Sequence, residues 1–282
     1  MSSKASADPT DGIDVSIVVA HPRWTPEMLA NFKDHTVQTL FGPELQRRIA
    51  AGAWAEDEPV RAAQALLRPG QKPEIRFNDE VRIQLGVTQE QRQRNGETVE
   101  ELVNIEWFEL PADEQAYAHM TLLSVGGRDF GGFDARYHLP TVREHLVAAA
   151  EFLDTARDAL EAGRLRAFAE NLFAAVELAG RAFFVQAGDA RFLRRGTHGL
   201  TQAEFNRARK AGNVDPAHAD LLNTLARFRP GARYLNRSWE LDAAAARDML
   251  DRASELHARM AAESAPAREQ RGPVLRRGRL DA

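Results

Sequence analysis

A basic connector contains one arginine and one histidine, two residue types that can together catalyse RNA cleavage without a metal ion. The connector covers residues 189–199 and contains Arg191 and His198 in an Arg-x6-His arrangement. A histidine exchanges a proton with the RNA 2′-hydroxyl near neutral pH, and an arginine stabilises the charge of the phosphorane. The same spacing arises easily in an arginine-rich connector. The preferred interpretation is therefore a phosphate-binding or solvated loop, with His198 as a cap or turn residue.

A second basic cluster, between residues 227 and 237, combines arginines with a tyrosine. Guanidinium groups bind phosphates and an aromatic ring stacks on a base, so this segment suits a nucleic acid. Helix-end arginines also satisfy terminal carbonyls or pair with carboxylates at a dimer interface, and the sequence leaves both alternatives open. The candidate nucleic-acid-binding residues of the two clusters are Arg191, Arg194, Arg195, His198, Arg227, Arg229, Arg233 and Tyr234.

Two acids and an amide, Glu170, Asn171 and Glu177, form a third polar group. The seven-residue spacing of the acids places both carboxylates on one stripe of a helix. A buried carboxylate pair raises one of the two pKa values and suits acid–base catalysis. The favoured alternative is structural, with the acids paired to Arg181 or to arginines of neighbouring helices.

Composition argues against several other kinds of site. The chain has no cysteine, and its eight histidines are scattered without an HExxH spacing, so we expect no metal and no cofactor. The net charge of -4 argues against a globally basic nucleic-acid binder. No apolar run approaches the roughly 18 residues of a membrane span, and the first residues lack the apolar core of a signal peptide. We therefore expect a cytoplasmic protein without a membrane segment.

The element that must position these groups is the helix predicted for residues 164–186. Its apolar residues recur at three- and four-residue steps over most of the circumference, which indicates the central helix of a bundle. The spacing of this helix and of the one before it predicts one shared core, formed by Leu146, Leu153, Leu160, Leu172, Val176 and Ala179. Its apolar coverage exceeds what one bundle is expected to bury, which favours a homodimer.

Capping and breaking residues mark four further helices after residue 140. Their signals are a capping box at Thr141 and Glu144, a second box at Thr201 and Glu204, Asp215-Pro216 with an end near Pro230, and a last helix at residues 242–262.

The N-terminal part shows mixed patterning. Helices are predicted after Thr25, after Gly42-Pro43 and over residues 58–68, and strands over residues 13–20, 75–77, 81–85, 99–110, 117–125 and 128–137. Turn residues separate the later strands, which predicts an antiparallel meander.

These elements predict an α+β protein. Residues 1–12 are expected to be disordered, 13–137 a mixed domain with an antiparallel sheet, 138–263 a helical bundle, and 264–282 a disordered arginine-rich tail. Asp134, Arg136 and Tyr137 are expected to lock the sheet to the bundle through a salt bridge.

Four segments of the C-terminal half together resemble the HEPN family of helical domains. They are FDARYH (133–138), AENLFAAVELAGRAFF (169–184), THGL (197–200) and FRPGARY (228–234). The resemblance implies an antiparallel bundle of four or five helices, frequent homodimerisation, and binding of nucleic acid or nucleotides, often in defence or toxin–antitoxin systems.

Some members of this family are metal-independent ribonucleases with an Arg-x(4–6)-His motif just before the last helix. The sequence departs from that pattern, since no histidine lies between Arg229 and His257. The leading hypothesis is therefore a non-catalytic module that binds nucleic acid or nucleotides. The alternatives are a metal-independent endoribonuclease that uses Arg191 and His198, and an antitoxin-like structural partner of another protein.

Overall fold

The computed structural model describes residues 35–87, 105–125, 128–194, 198–234, 240–266 and 275–276. The described residues form two compact units, one within Met1–Ala135 and Pro266–Ala282 and the other within Arg136–Ala265. The first contains an antiparallel sheet and the second is helical, which confirms the predicted α+β class. The predicted strand at residues 13–20 and the helix start at Thr25 lie outside the described residues.

The first unit is built on a five-stranded antiparallel sheet. Its helical elements are a π-helical turn at Val37–Phe41 and α1 (Gly42–Ala50). The strands are β1 (Ala62–Leu67), β2 (Glu74–Phe77), β3 (Gln84–Val87), β4 (Ile105–Glu109), β5 (Ala118–Val125), β6 (Arg128–Asp134) and β7 (Leu275–Arg276). The order in the sheet is β2-β1-β5-β6-β7, and β3 and β4 form a separate two-stranded ribbon.

Apolar residues cover both faces of this sheet. On one face, Phe41 of the π-helical turn packs with Phe77 and the small side chains of β1. On the other, Phe108 of the ribbon lies against β6 so closely that a Cβ on Gly132 would come within 2.6 Å of its ring. Any side chain at Gly132 would therefore displace the ribbon.

The prediction of a helix over residues 58–68 is wrong, because residues 62–67 form β1. Alanine, glutamine and leucine favour a helix locally, but β1 has a hydrogen-bonded partner on each edge. Its buried Gln64 donates to the carbonyl of Arg82 and to Thr121 Oγ1. Pairing with distant residues therefore overrides the local preference.

The second unit is a bundle around one central helix. Its helices are α2 (Leu139–Glu161), α3 (Leu165–Gln186), α4 (His198–Lys210), α5 (Pro216–Tyr234) and α6 (Ala243–Ser264), with a 3-10 turn at Ala190–Phe192. The central helix α3 packs against α2, α4, α5 and α6. The predicted core is confirmed: Leu172, Val176 and Ala179 are buried with Leu146 and Leu153, and Leu160 is partly buried against them.

Three predicted helix ends differ from the structure. Helix α2 begins at Leu139, before the proposed capping box at Thr141. Helix α4 already begins at His198, which leaves Thr201 buried inside it and directs Glu204 to arginine partners. Helix α5 continues through Pro230 to Tyr234, where the Arg166 guanidinium binds the terminal carbonyls of Gly231 and Ala232.

Candidate nucleic-acid interface

The C-terminal end of α5 carries two arginines that face one acid of the central helix. Arg229 Nε lies 3.6 Å and Arg233 Nη1 3.9 Å from Glu170 Oε2. Both distances allow an ion pair but are longer than a hydrogen bond. Glu170 thus pairs with arginines of a neighbouring helix, as the structural alternative for this acid predicts.

Aromatic rings flank these arginines. The Arg229 guanidinium lies over the Phe173 ring at 4.8 Å, and Arg233 lies 5.8 Å from the ring centre of Tyr234. The Tyr234 side chain is 65% exposed, which is unusual for a large aromatic residue. Arg227 is also exposed and donates to Thr224 Oγ1. We call Arg227, Arg229, Arg233 and Tyr234 the α5 cluster.

The connector before α4 has a different electrostatic environment. Arg191 donates to both oxygens of Asp189 and, at 3.0 Å, to Glu204 Oε1. The hydrogen bonds and charges of these acids raise the pKa of Arg191, and in turn Arg191 lowers the pKa of Asp189. Glu204 also accepts from Arg207 at 2.9 Å. The guanidinium of Arg191 is therefore engaged by two carboxylates of its own chain.

The remaining connector candidates are only partly described. Arg194 is exposed, and its carbonyl accepts a hydrogen bond from Arg181 of α3. Arg195 lies outside the described residues, and His198 is described through its backbone, as the first residue of α4.

Among the described residues of one chain, the connector and the α5 cluster do not form a common site. The α5 cluster contacts α3 at Glu170 and Phe173, whereas the connector contacts α3 at Arg181. At 1.5 Å per residue, Glu170 and Arg181 are about 16 Å apart along the helix axis. The two arginine groups therefore lie at opposite ends of the central helix.

Residues 142–263 match the family model of the HEPN domain. Over these residues the helical unit is similar to the HEPN domain family. The match lies wholly within the helical unit, so the resemblance found in the C-terminal half of the sequence is confirmed. No curated protein matches the chain significantly.

Two residues of the helical unit that contact the last turns of α5 were not predicted from the sequence. Arg166 binds the terminal carbonyls of α5, and Phe173 supports Arg229. Together with Glu170 they occupy positions i, i+4 and i+7 of α3, which share one helix face. That spacing was the available signal, but the partner helix of this face was not evident from sequence.

The other polar candidates of the helical unit contact groups that stabilise the fold. Glu177 is buried on α3, and the Asn171 amide donates to the carbonyl of Ala167 one turn earlier. Arg136 donates to the carbonyls of Glu263 and Ala265 at the end of α6. Among the described residues, no group of three or more histidines or acids is arranged to hold a metal ion, and no helix is long and apolar enough to cross a membrane.

Proposed function

We propose that the HEPN domain is a non-catalytic module that binds RNA or a nucleotide through the α5 cluster. HEPN domains are associated with nucleotide binding and with ribonuclease-like activity. The observation that carries the proposal is the exposed Tyr234 ring beside Arg233, whose side chain is 49% exposed. An exposed ring offers a stacking surface for a base, and the neighbouring guanidinium offers donors for its phosphate.

The engagement of Arg191 supports the non-catalytic form of this proposal. A guanidinium that stabilises a phosphorane needs donors free to face the phosphate. Asp189 and Glu204 accept hydrogen bonds from all three guanidinium nitrogens of Arg191 and offset its positive charge. The alternative, an endoribonuclease that uses Arg191 and His198, would require those ion pairs to open.

Filter binding of RNA across a salt series tests the proposal. The double variant Arg229→Gln/Arg233→Gln is expected to bind more weakly and to lower the salt slope by about one per lost phosphate contact. The matched control is Arg157→Gln/Arg252→Gln, which removes two exposed arginines from α2 and α6. Equal losses in both variants would contradict a specific role for the α5 cluster.

A cleavage assay in EDTA separates the alternatives. His198→Ala is expected to leave RNA binding nearly unchanged, since a neutral imidazole contributes little charge. Metal-free cleavage by the wild type that is lost in this variant would establish the ribonuclease alternative. If the wild type binds neither RNA nor a nucleotide at low salt, both the binding module and the ribonuclease are eliminated, which favours the protein-partner hypothesis.

Homodimerisation through the helical unit also remains a proposal. The apolar coverage of α3 does not by itself favour a dimer, because most of α3 is buried within a single chain. Family resemblance still supports it, and sedimentation at tens of micromolar tests it; a species near 31.4 kDa would contradict it. The same resemblance supports a role in prokaryotic defence or toxin–antitoxin biology. Expression that neither arrests growth nor alters phage infection would count against that role.

A further inference from the structure

The carboxylate of Glu170 is poorly satisfied for a group in an arginine cluster. Its Oε2 atom lies 3.6 and 3.9 Å from the two nearest guanidinium nitrogens. Its Oε1 atom is buried and has no hydrogen-bond partner within the described part of the chain. For comparison, Arg191 donates to Asp189 at distances down to 2.6 Å. The arginines of the α5 cluster thus attract Glu170 without the short contacts that would satisfy it.

The position of Glu170 is fixed by the residues on either side of it. Arg166 and Phe173 lie on the same face of α3 and both contact the last turns of α5. These contacts hold the backbone of Glu170 opposite Arg229 and Arg233. The side chain is 29% exposed, so solvent and a solute reach this position.

We propose that Glu170 is a built-in counter-ion of the α5 cluster, which competes with a phosphate group for Arg229 and Arg233. This inference rests on the proposed function. It means that the negative charge of Glu170 lowers the affinity of the α5 cluster for phosphate. A phosphate oxygen and the Glu170 carboxylate accept from the same guanidinium donors. Their negative charges also repel when both lie beside Arg229 and Arg233. Ligands with several linked phosphates overcome this competition more readily than a single phosphate.

Titration calorimetry with pyrophosphate tests this control directly. Glu170→Gln keeps the size of the side chain and removes its charge, so it is expected to tighten binding about 3- to 10-fold at low salt. The gain should shrink as salt is raised, because screening weakens the removed repulsion. Glu170→Ala removes the carboxylate altogether and is expected to tighten binding as well, which guards against an artefact of the glutamine amide.

The matched control is Glu151→Gln, which removes one charge from an exposed site on α2. It is expected to change pyrophosphate affinity less than 2-fold. In Glu170→Gln/Arg229→Gln/Arg233→Gln the gain should disappear, because it depends on the two guanidiniums. Thermal unfolding of each variant verifies that the domain is folded.

The outcomes distinguish this inference from the proposed function. If RNA binding depends on Arg229 and Arg233 but Glu170→Gln behaves like Glu151→Gln, the counter-ion role is wrong and the proposed function stands. Weaker pyrophosphate binding by Glu170→Gln would also overturn it, and would mean that Glu170 positions the arginines. If neither RNA nor pyrophosphate binds to the wild type or to any variant, both proposals fail.

Discussion

The connector and the α5 cluster contain similar residues but present different charges. In the connector, Arg191 forms hydrogen bonds with Asp189 and Glu204. In the α5 cluster, Arg229 and Arg233 share one carboxylate at longer distances. The comparison teaches that the density of arginines in a sequence does not give the positive charge available to a ligand. That charge depends on how many acids reach the guanidiniums in the fold.

The largest expected effect is a loss of stability on mutation of the central helix α3, which both the connector and the α5 cluster contact. Leu172 is fully buried in α3, and Leu172→Ala is expected to lower the free energy of unfolding by roughly 2–5 kcal/mol through lost burial and a cavity. Urea denaturation measures this loss. The control Val147→Ala, at a 63% exposed position of α2, should change stability by less than about 0.5 kcal/mol. Equal effects would contradict the assignment of the core.

The next effect concerns the aromatic surface that distinguishes the α5 cluster. Tyr234→Ala is expected to weaken RNA binding by about 1–3 kcal/mol if the exposed ring stacks on one base. Folding stability should hardly change, because the side chain is exposed. The control in the same filter-binding assay is Phe152→Ala, which removes an exposed aromatic ring on a different helix, α2. A similar loss in both variants would show that the ring at residue 234 has no special role.

A smaller effect is the difference in stability lost when Glu204 of α4 or Glu170 of α3 is replaced. Glu204 accepts from Arg191 and Arg207, and its side chain is 9% exposed. Glu204→Gln is expected to reduce stability by about 1 kcal/mol, because its arginine partners are exposed and screened by solvent. Glu170→Gln should reduce stability less, since its carboxylate makes no short hydrogen bond. Chemical denaturation of both variants provides the comparison, and a larger loss for Glu170→Gln would reverse it.

The smallest effect is the contribution of the connector to the pH dependence of stability. Hydrogen bonds from Arg191 hold the pKa of Asp189 below its ordinary value of 3.8. A lowered pKa in the folded state stabilises the protein above the ordinary value, and this stabilisation is lost as the pH falls through the folded pKa. Asp189→Asn should therefore lose less stability than the wild type between about pH 4 and pH 2. Asp251→Asn, at an exposed position of α6, should follow the wild type.

Local periodicity predicted the bundle well. The steps between apolar residues around Leu172 identified the central helix and its core, since burial of one helix face leaves a direct pattern in the sequence. The last helix was predicted at residues 242–262, and in the structure the Asp242 side chain caps α6 by accepting from backbone amides two and three residues later. For the central helix and the last helix, local signals in the sequence were therefore sufficient.

Where the cause lies elsewhere in the fold, sequence analysis was insufficient. Helix α5 passes Pro230, and Arg166, from another helix, binds the carbonyls at its end. Glu204 was assigned to a helix cap, so its ion pair with Arg191 was not predicted. The arginines of the α5 cluster were recognised as candidates, but their relation to Phe173 required the packing of α5 on α3.

The position of β1 in the sheet has a consequence for the order of folding. One of its edges pairs with β2, the next strand in the chain, but the other pairs with β5, which follows only after β3 and β4. Because its sequence favours a helix locally, β1 depends on a contact whose formation requires closing a long loop. Helices α2 and α3 are consecutive and need no such closure. We therefore expect pulsed hydrogen exchange during refolding to protect the amides of α3 before those of β1, and the reverse order would contradict this dependence.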